Sequence, residues 1–386
     1  MAAIISAAPA MDHSTMARLL KCRRRNSRDA DLTLQLPDQL IPPRFAEALS
    51  PFAPARPMGG NPDGRTGCPG TALRTMRRDL TLLPTGPIQR GEGWHELHRF
   101  EFADAGADCR FGRDQEGWLL EMTPRYTGST VRFRYAPAGG PALCDYTPAH
   151  HPGLFRFGVW TLFNLAALQH ATVAIHASAL RFRGRAVLFL GESGTGKSTH
   201  TRLWRQYIPG ASLLNDDSPL VSYHASEIRA WGSPWSGKLP CYRNESIPVA
   251  AFVRLVQGAE NRIRPLAPLE AFGALFPSLP PALARDAELR DRLVDLLTRI
   301  IPRIPVYRLE CRPDADAARL VCRTLFGNEA FLPDATPAAT VCRDSGRSFC
   351  RNTDRNTSRE ESLPCSGYGQ TERSEPSQDV GPTPRC

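Results

Sequence analysis

The run Gly191-Glu192-Ser193-Gly194-Thr195-Gly196-Lys197-Ser198 fits the spacing G-x-x-x-x-G-K-[ST] at every fixed position. Glycines so placed let backbone N–H groups curve inward around phosphate oxygens, and a helix leaving the loop adds its positive end. In such a loop Lys197 bridges the terminal phosphates as a point charge, and the Ser198 hydroxyl ligates magnesium. Of 48 basic residues only Lys21, Lys197 and Lys238 are lysines, so one of three falls in this slot. The plain alternative is a glycine-rich strand-to-helix turn that binds nothing. The full pattern favours a nucleoside triphosphate site, with ATP and Mg2+ held by Gly191, Ser193, Gly194, Thr195, Gly196, Lys197, Ser198 and Thr199. It specifies a site and leaves the reaction open.

Phosphoryl transfer to an alcohol needs a second carboxylate for the metal and a base for the proton. Asp216 and Asp217 end the next apolar run, where such groups would face the phosphates. An Asn-Asp-Asp-Ser-Pro string is otherwise a turn. His176 lies in the alternating run 173–179 just before the loop strand. An isolated strand histidine is ordinarily a hydrogen-bonded core residue, but here it could reach the Asp pair and tune a base. The stretch 231–245 holds Gly, Pro, Trp, Lys238, Arg243 and Glu245 without periodicity. It reads either as a packed surface loop or as one that gives Lys238 and Arg243 to phosphate charge and Glu245 to the metal.

These residues need elements to hold them. A helix is expected over 154–167, a strand over 172–180, a second strand over 185–190 entering the glycine loop, and a helix over 199–208 leaving it. Strands follow at 211–214 and 249–256. Leu289, Leu293, Leu296, Leu297 and Ile300 mark one face of a helix, and a strand at 306–310 and a helix at 314–326 close the region. This alternation implies an α/β fold with a mixed or parallel sheet and helices packed on it. Upstream, the alternating runs 97–102, 118–122 and 130–135 suggest a small antiparallel sheet. The expected organisation is therefore 1–90 mostly irregular or disordered, 91–150 a small β-rich region, 151–330 the catalytic domain and 331–386 a disordered tail.

Composition narrows the class further. The net charge is +9, but basic and acidic residues interleave, so no stripe announces nucleic acid. The apolar stretch 159–180 carries Asn164, His170 and His176, which suits a buried helix and strand better than a membrane span. Eleven cysteines without C-x-x-C spacing read as reduced thiols in a cytoplasmic protein. The apolar segment 1–10 precedes the cluster Arg23, Arg24 and Arg25, the wrong order for a secretory signal. A transit-like segment and an overlong start before Met11 or Met16 both fit it.

His176, the loop 191–198 and Asn215-Asp216-Asp217 together resemble, in order and approximate spacing, the HPr kinase/phosphorylase family, whose catalytic domain is related to ATP-type phosphoenolpyruvate carboxykinase. The resemblance covers about 150–325. It implies a P-loop kinase domain in which Asp216 accepts the serine proton with His176 assisting, Lys197 holds the phosphates, and Ser198, Asp217 and Glu245 handle magnesium. Family members acting on HPr carry an Arg-Gly-hydrophobic-Gly core that 236–245 lacks. The divergent pattern is similar to HPr-kinase-like proteins found beside peptide-modification genes, including lasso-peptide tailoring kinases. What the resemblance implies is thus an ATP-dependent serine kinase acting on a protein or peptide, with a hint of assembly from like chains. Its rivals are a carboxykinase-like small-molecule phosphotransferase, a non-catalytic ATP sensor and a nucleic-acid ATPase.

Overall fold

The computed structural model describes residues 18–21, 32–52, 78–126, 129–137, 140–237 and 239–328, all within one compact unit, Met1–Pro333. They build a mixed α/β structure with two mixed sheets. The tail expected at 331–386 lies outside the described residues.

The first sheet contains β1 (Arg18–Lys21), β2 (Leu32–Leu36), β3 (Arg78–Pro84), β4 (His95–Phe102), β5 (Ala107–Asp114), β6 (Gly117–Pro124), β7 (Val131–Tyr135) and β8 (Ala142–Cys144). Its order is β1-β2-β3-β8-β7-β6-β5-β4, with β4 to β8 antiparallel and β3 parallel to both β2 and β8. Helix α1 (Pro43–Leu49) buries Phe45, Ala48 and Leu49. Within 1–90, read from the sequence as mostly irregular or disordered, the described residues hold β1, β2, α1 and β3, and the others lie outside the described residues. The Pro and Gly content of 1–90 masks short pieces whose apolar side chains, such as Leu80 and Leu82, are buried in the common core. β5 was also hidden, because Asp108, Arg110 and Gly112 dilute its pattern. Cys109 and Phe111 nonetheless alternate inward, fully buried.

Helix α2 (Pro152–Leu168) runs from the first sheet to the second. Its residues are buried nearly all round, as an interlayer helix must be. On one side Gly158 lets the ring of Phe133 press against the helix backbone; a Cβ there would overlap that ring. On the other, the Asn164 side chain accepts from the Ala174 N–H at 2.8 Å.

The second sheet contains β9 (Thr172–Ala174), β10 (Ala177–Phe182), β11 (Arg185–Leu190), β12 (Ser212–Asp217), β13 (Leu220–His224), β14 (Glu227–Trp231), β15 (Ser246–Gln257), β16 (Arg262–Pro265) and β17 (Val306–Cys311). Its path is β12-β10-β11-β15-β14-β13-β9, with β17 on β15 and β16 on β17. The long β15 serves two neighbourhoods: its first residues pair with β14, and its later ones run parallel to β11 and β17. Helices α3 (Lys197–Tyr207) and α6 (Ala315–Phe326) cover one face through Leu203, Trp204, Val321 and Cys322. α2 and α5 (Ala287–Ile300) belong to the core of the other face, and α4 (Pro268–Leu275) adds Ala271, Ala274 and Leu275 to it. β11 alternates between these two cores, Val187 and Phe189 in one and Leu188 and Leu190 in the other, which explains its unbroken apolar run. No helix among the described residues is long and apolar enough to cross a membrane. Cys109, Cys144, Cys241, Cys311 and Cys322 are unbridged.

Candidate functional site

The glycine loop leaves β11 and enters α3 directly, since Lys197 is the first residue of that helix. Gly194 and Gly196 sit at φ 82° and 99°, a left-handed backbone that side chains other than glycine strain to adopt. Thr195 Oγ1 donates to the Glu192 carbonyl at 2.9 Å, and Lys197 Nζ donates to the carbonyls of Gly191 and Glu192 at 2.7 and 3.0 Å. Thr199 follows within the first turn of the helix. β15 braces the loop from outside: Gln257 Nε2 donates to the Gly194 carbonyl at 3.3 Å, and Arg254 pairs with Glu192. Neither brace has a sequence signal, because both lie beyond sixty positions from their partners.

The strand expected over 172–180 is two strands, and His176 sits in the break between them. β9 pairs with β13 whereas β10 pairs with β11 and β12, so the chain changes partners at this point. The backbone N–H of Ile175 donates to the Pro219 carbonyl and that of His176 to the Ser278 carbonyl, which holds the crossing in place.

β10 lies between the loop strand and β12, with Ser178 opposite Asp216 and Ala177 opposite Asp217. β12 extends through the Asn-Asp-Asp string that would otherwise form a turn. Its alternation sends the two aspartates to different neighbours. Buried Asp216 accepts from Ser178 Oγ at 2.8 Å and from Ser198 Oγ at 3.1 Å. Asp217 instead lines a cavity of about 890 Å³ with His176 and Ser193, where the charges of His176 and Lys197 act on it. Asp217 and His176 are both solvent-accessible, opening onto this cavity, and the protein that forms its wall removes only part of their water. This partial desolvation raises the Asp217 carboxyl above its ordinary value, against the opposing charges of His176, Lys197 and Arg156. It lowers the His176 imidazole, with the Lys197 charge adding and Asp217 opposing. Lys197 is likewise lowered by burial, with Asp217 opposing.

Asn215, buried, stands in the Asn-Asp-Asp string but was given no role of its own by the sequence reading. Its Nδ2 donates to Ser233 O, Ser233 Oγ and Trp235 O at 3.1 to 3.2 Å, and its Oδ1 accepts from the Ser218 N–H at 2.9 Å. It thereby pins the 233–237 segment across the aspartates, where the Gly237 N–H donates to the Asp216 carbonyl at 2.8 Å. A Cβ on Gly237 would come 2.6 Å from that carbonyl, so the close approach requires glycine. Arg156 Nη2 ties α2 to the same segment through the Ser236 carbonyl at 2.7 Å.

Three expectations on 231–245 fare differently. Glu245 is not with Ser198 and the aspartates. It pairs with Arg181 at 2.9 Å, three residues along β10 from Ser178, because the chain has turned back towards β15 by that point. Arg243 is exposed, and the Cys241 Sγ two residues before it donates to the Leu213 and Leu214 carbonyls. Lys238 lies outside the described residues.

The chain matches no protein-family model and no curated relative. The chemistry must therefore be argued from the geometry. A phosphate-loop magnesium is held by one hydroxyl and one carboxylate, with phosphate and water oxygens completing its shell. Ser198 and Asp216, side by side, fit that requirement. Among the described residues no group of three His, Cys, Asp or Glu side chains could hold a metal by itself.

Proposed function

We propose that the chain transfers the γ-phosphate of ATP, with Mg2+, to a serine hydroxyl of a protein or peptide, on a P-loop kinase domain of the HPr kinase and phosphoenolpyruvate carboxykinase type. Asp217 carries this reading. It is the carboxylate that shares a cavity wall with His176, within electrostatic reach of Lys197, where an acceptor hydroxyl can approach. In this assignment Asp217 takes the hydroxyl proton and neutral His176 orients it, while Ser198 and Asp216 hold magnesium. The two aspartates thus exchange the roles that the sequence resemblance implies. Bound magnesium would offset charge on the phosphates; the loop amides and Lys197 position them.

The test is transfer of radiolabel from γ-labelled ATP to serine-containing peptide pools by the full chain. Transfer should vanish in Lys197→Ala and in Asp217→Asn, the second still binding ATP. A chain that binds ATP with no transfer to any hydroxyl, and whose ATP affinity ignores Lys197→Ala, would discard the reading.

A further inference from the structure

The cavity beside Asp217 is furnished for more than a hydroxyl group. Phe102 from β4 and Phe157 and Trp160 from α2 stand half-buried along it and stack in series, with centroids 4.7 and 5.5 Å apart and ring planes within 23° of parallel. Trp235 and Leu279, almost fully buried, also line it. The Trp160 Nε1–H donates to Ser218 Oγ at 2.9 Å, which fixes one end of the stack next to Asp217. Aromatic faces left open to a cavity cost about 25 cal/mol for each Å² until a ligand covers them. Ionic groups at the wall balance in sign, Arg44 and Arg156 against Asp104 and Asp217, so charge gives no dominant handle.

Size and placement restrict the occupant. At about 890 Å³ the space stands near the top of the ~300–1,000 Å³ range that encloses drug-sized ligands, far beyond one serine side chain. The glycine loop contributes Ser193 to the wall but neither Lys197 nor Ser198, so phosphates held by those two residues would stand outside the part of the cavity that the aromatic stack lines. In a phosphoryl transfer the side beyond the base belongs to the acceptor. The two centroid steps, laid end to end, match about three residues of extended chain at ~3.3 Å each.

From this we infer that the cleft selects an extended acceptor peptide bearing an aromatic or large aliphatic side chain within three residues of the serine, laid against Phe102, Phe157 and Trp160. The inference rests on the kinase reading above and gives it a substrate class.

The experiment uses the full chain, γ-labelled ATP and peptide libraries with a central serine and one fixed residue at each position from three before to three after it. Libraries fixed as Phe, Trp or Leu at one of these positions should be labelled about tenfold or more above those fixed as Gly, Asp or Lys. Trp160→Ala and the milder Phe102→Ala, both checked by thermal melting, should erase the preference. They should raise the KM for the best peptide with kcat and ATP affinity held. Flat labelling, or selection of charged residues alone, overturns the inference. So does a loss of ATP affinity in either variant, which would assign the stack to the nucleobase. Lys197-dependent ATP hydrolysis with no labelled peptide overturns it too, leaving a kinase for a small acceptor. A chain that binds no ATP removes the kinase reading itself, and the inference with it.

Discussion

Asp216 and Asp217 are neighbours in the chain but stand in different surroundings on β12: one accepts hydrogen bonds from Ser178 and Ser198, the other lines a cavity wall with His176. Two carboxylates in different surroundings can hold a metal and a proton separately, which a pair sharing one environment cannot do.

That separation predicts different lesions. Asp217→Asn should lower kcat by about 10²- to 10⁴-fold, the usual worth of a positioned base, and leave ATP binding within about twofold. Asp216→Asn should instead raise the magnesium concentration needed for half-maximal ATP binding. Titration calorimetry at several Mg2+ concentrations separates the two, and identical profiles for both variants would defeat the division of roles.

The pH profile should follow Asp217. A base must be ionised, and partial desolvation at the cavity wall raises its carboxyl, so the acid limb of kcat/KM should fall above the ~3.9 of an ordinary aspartate. Activity is lost as pH drops through that limb. Arg156 opposes the rise, so Arg156→Met should move the limb to higher pH. A limb that stays in place or moves down would mean that another group takes the proton.

Asn215 makes a structural prediction close to the site. Asn215→Ala leaves the buried Ser233 and Trp235 carbonyls without this donor, which should cost about 2–3 kcal/mol in urea unfolding. The released 233–237 segment should also become a protease site ahead of the rest of the chain. Unfolding within about 0.5 kcal/mol of wild type would show that the segment is held by other bonds.

The sequence disclosed elements whose signals are local. β11, the glycine loop and α3 follow from an apolar run, a fixed glycine spacing and a helix pattern over 185–208, and the structure places them there. The apolar face of α5 was equally plain. What stayed hidden depends on pairing between distant segments. The break at His176 exists because β9 and β10 choose different partners, and nothing in 172–180 encodes a partner. The Phe102–Phe157–Trp160 stack joins a strand end to a helix more than fifty positions away. Glu245 illustrates a different limit: the functional reading of 231–245 and the resemblance offered it to the metal, whereas just before β15 it pairs with Arg181.

His200 yields the last prediction, on stability. It is buried in α3 against the Phe189 ring, and its Nε2 accepts from Trp204 Nε1 at 3.2 Å, so that nitrogen carries no proton in the folded state. Burial pushes its pKa down to about 4, with Asp314 opposing, whereas the unfolded chain holds it near the ordinary value of about 6.5. Between these values the unfolded chain binds the proton and the folded chain does not, so stability falls as pH drops from about 6.5 to 4. The full contribution, present above 6.5 and gone below 4, amounts to about 3 kcal/mol. His200→Gln keeps an acceptor for Trp204 but cannot titrate, so its loss between pH 7 and 4.5 in urea unfolding should be about 2 kcal/mol smaller than that of wild type. Equal losses in the two proteins would show that His200 protonates without cost and that its burial is relieved on acidification.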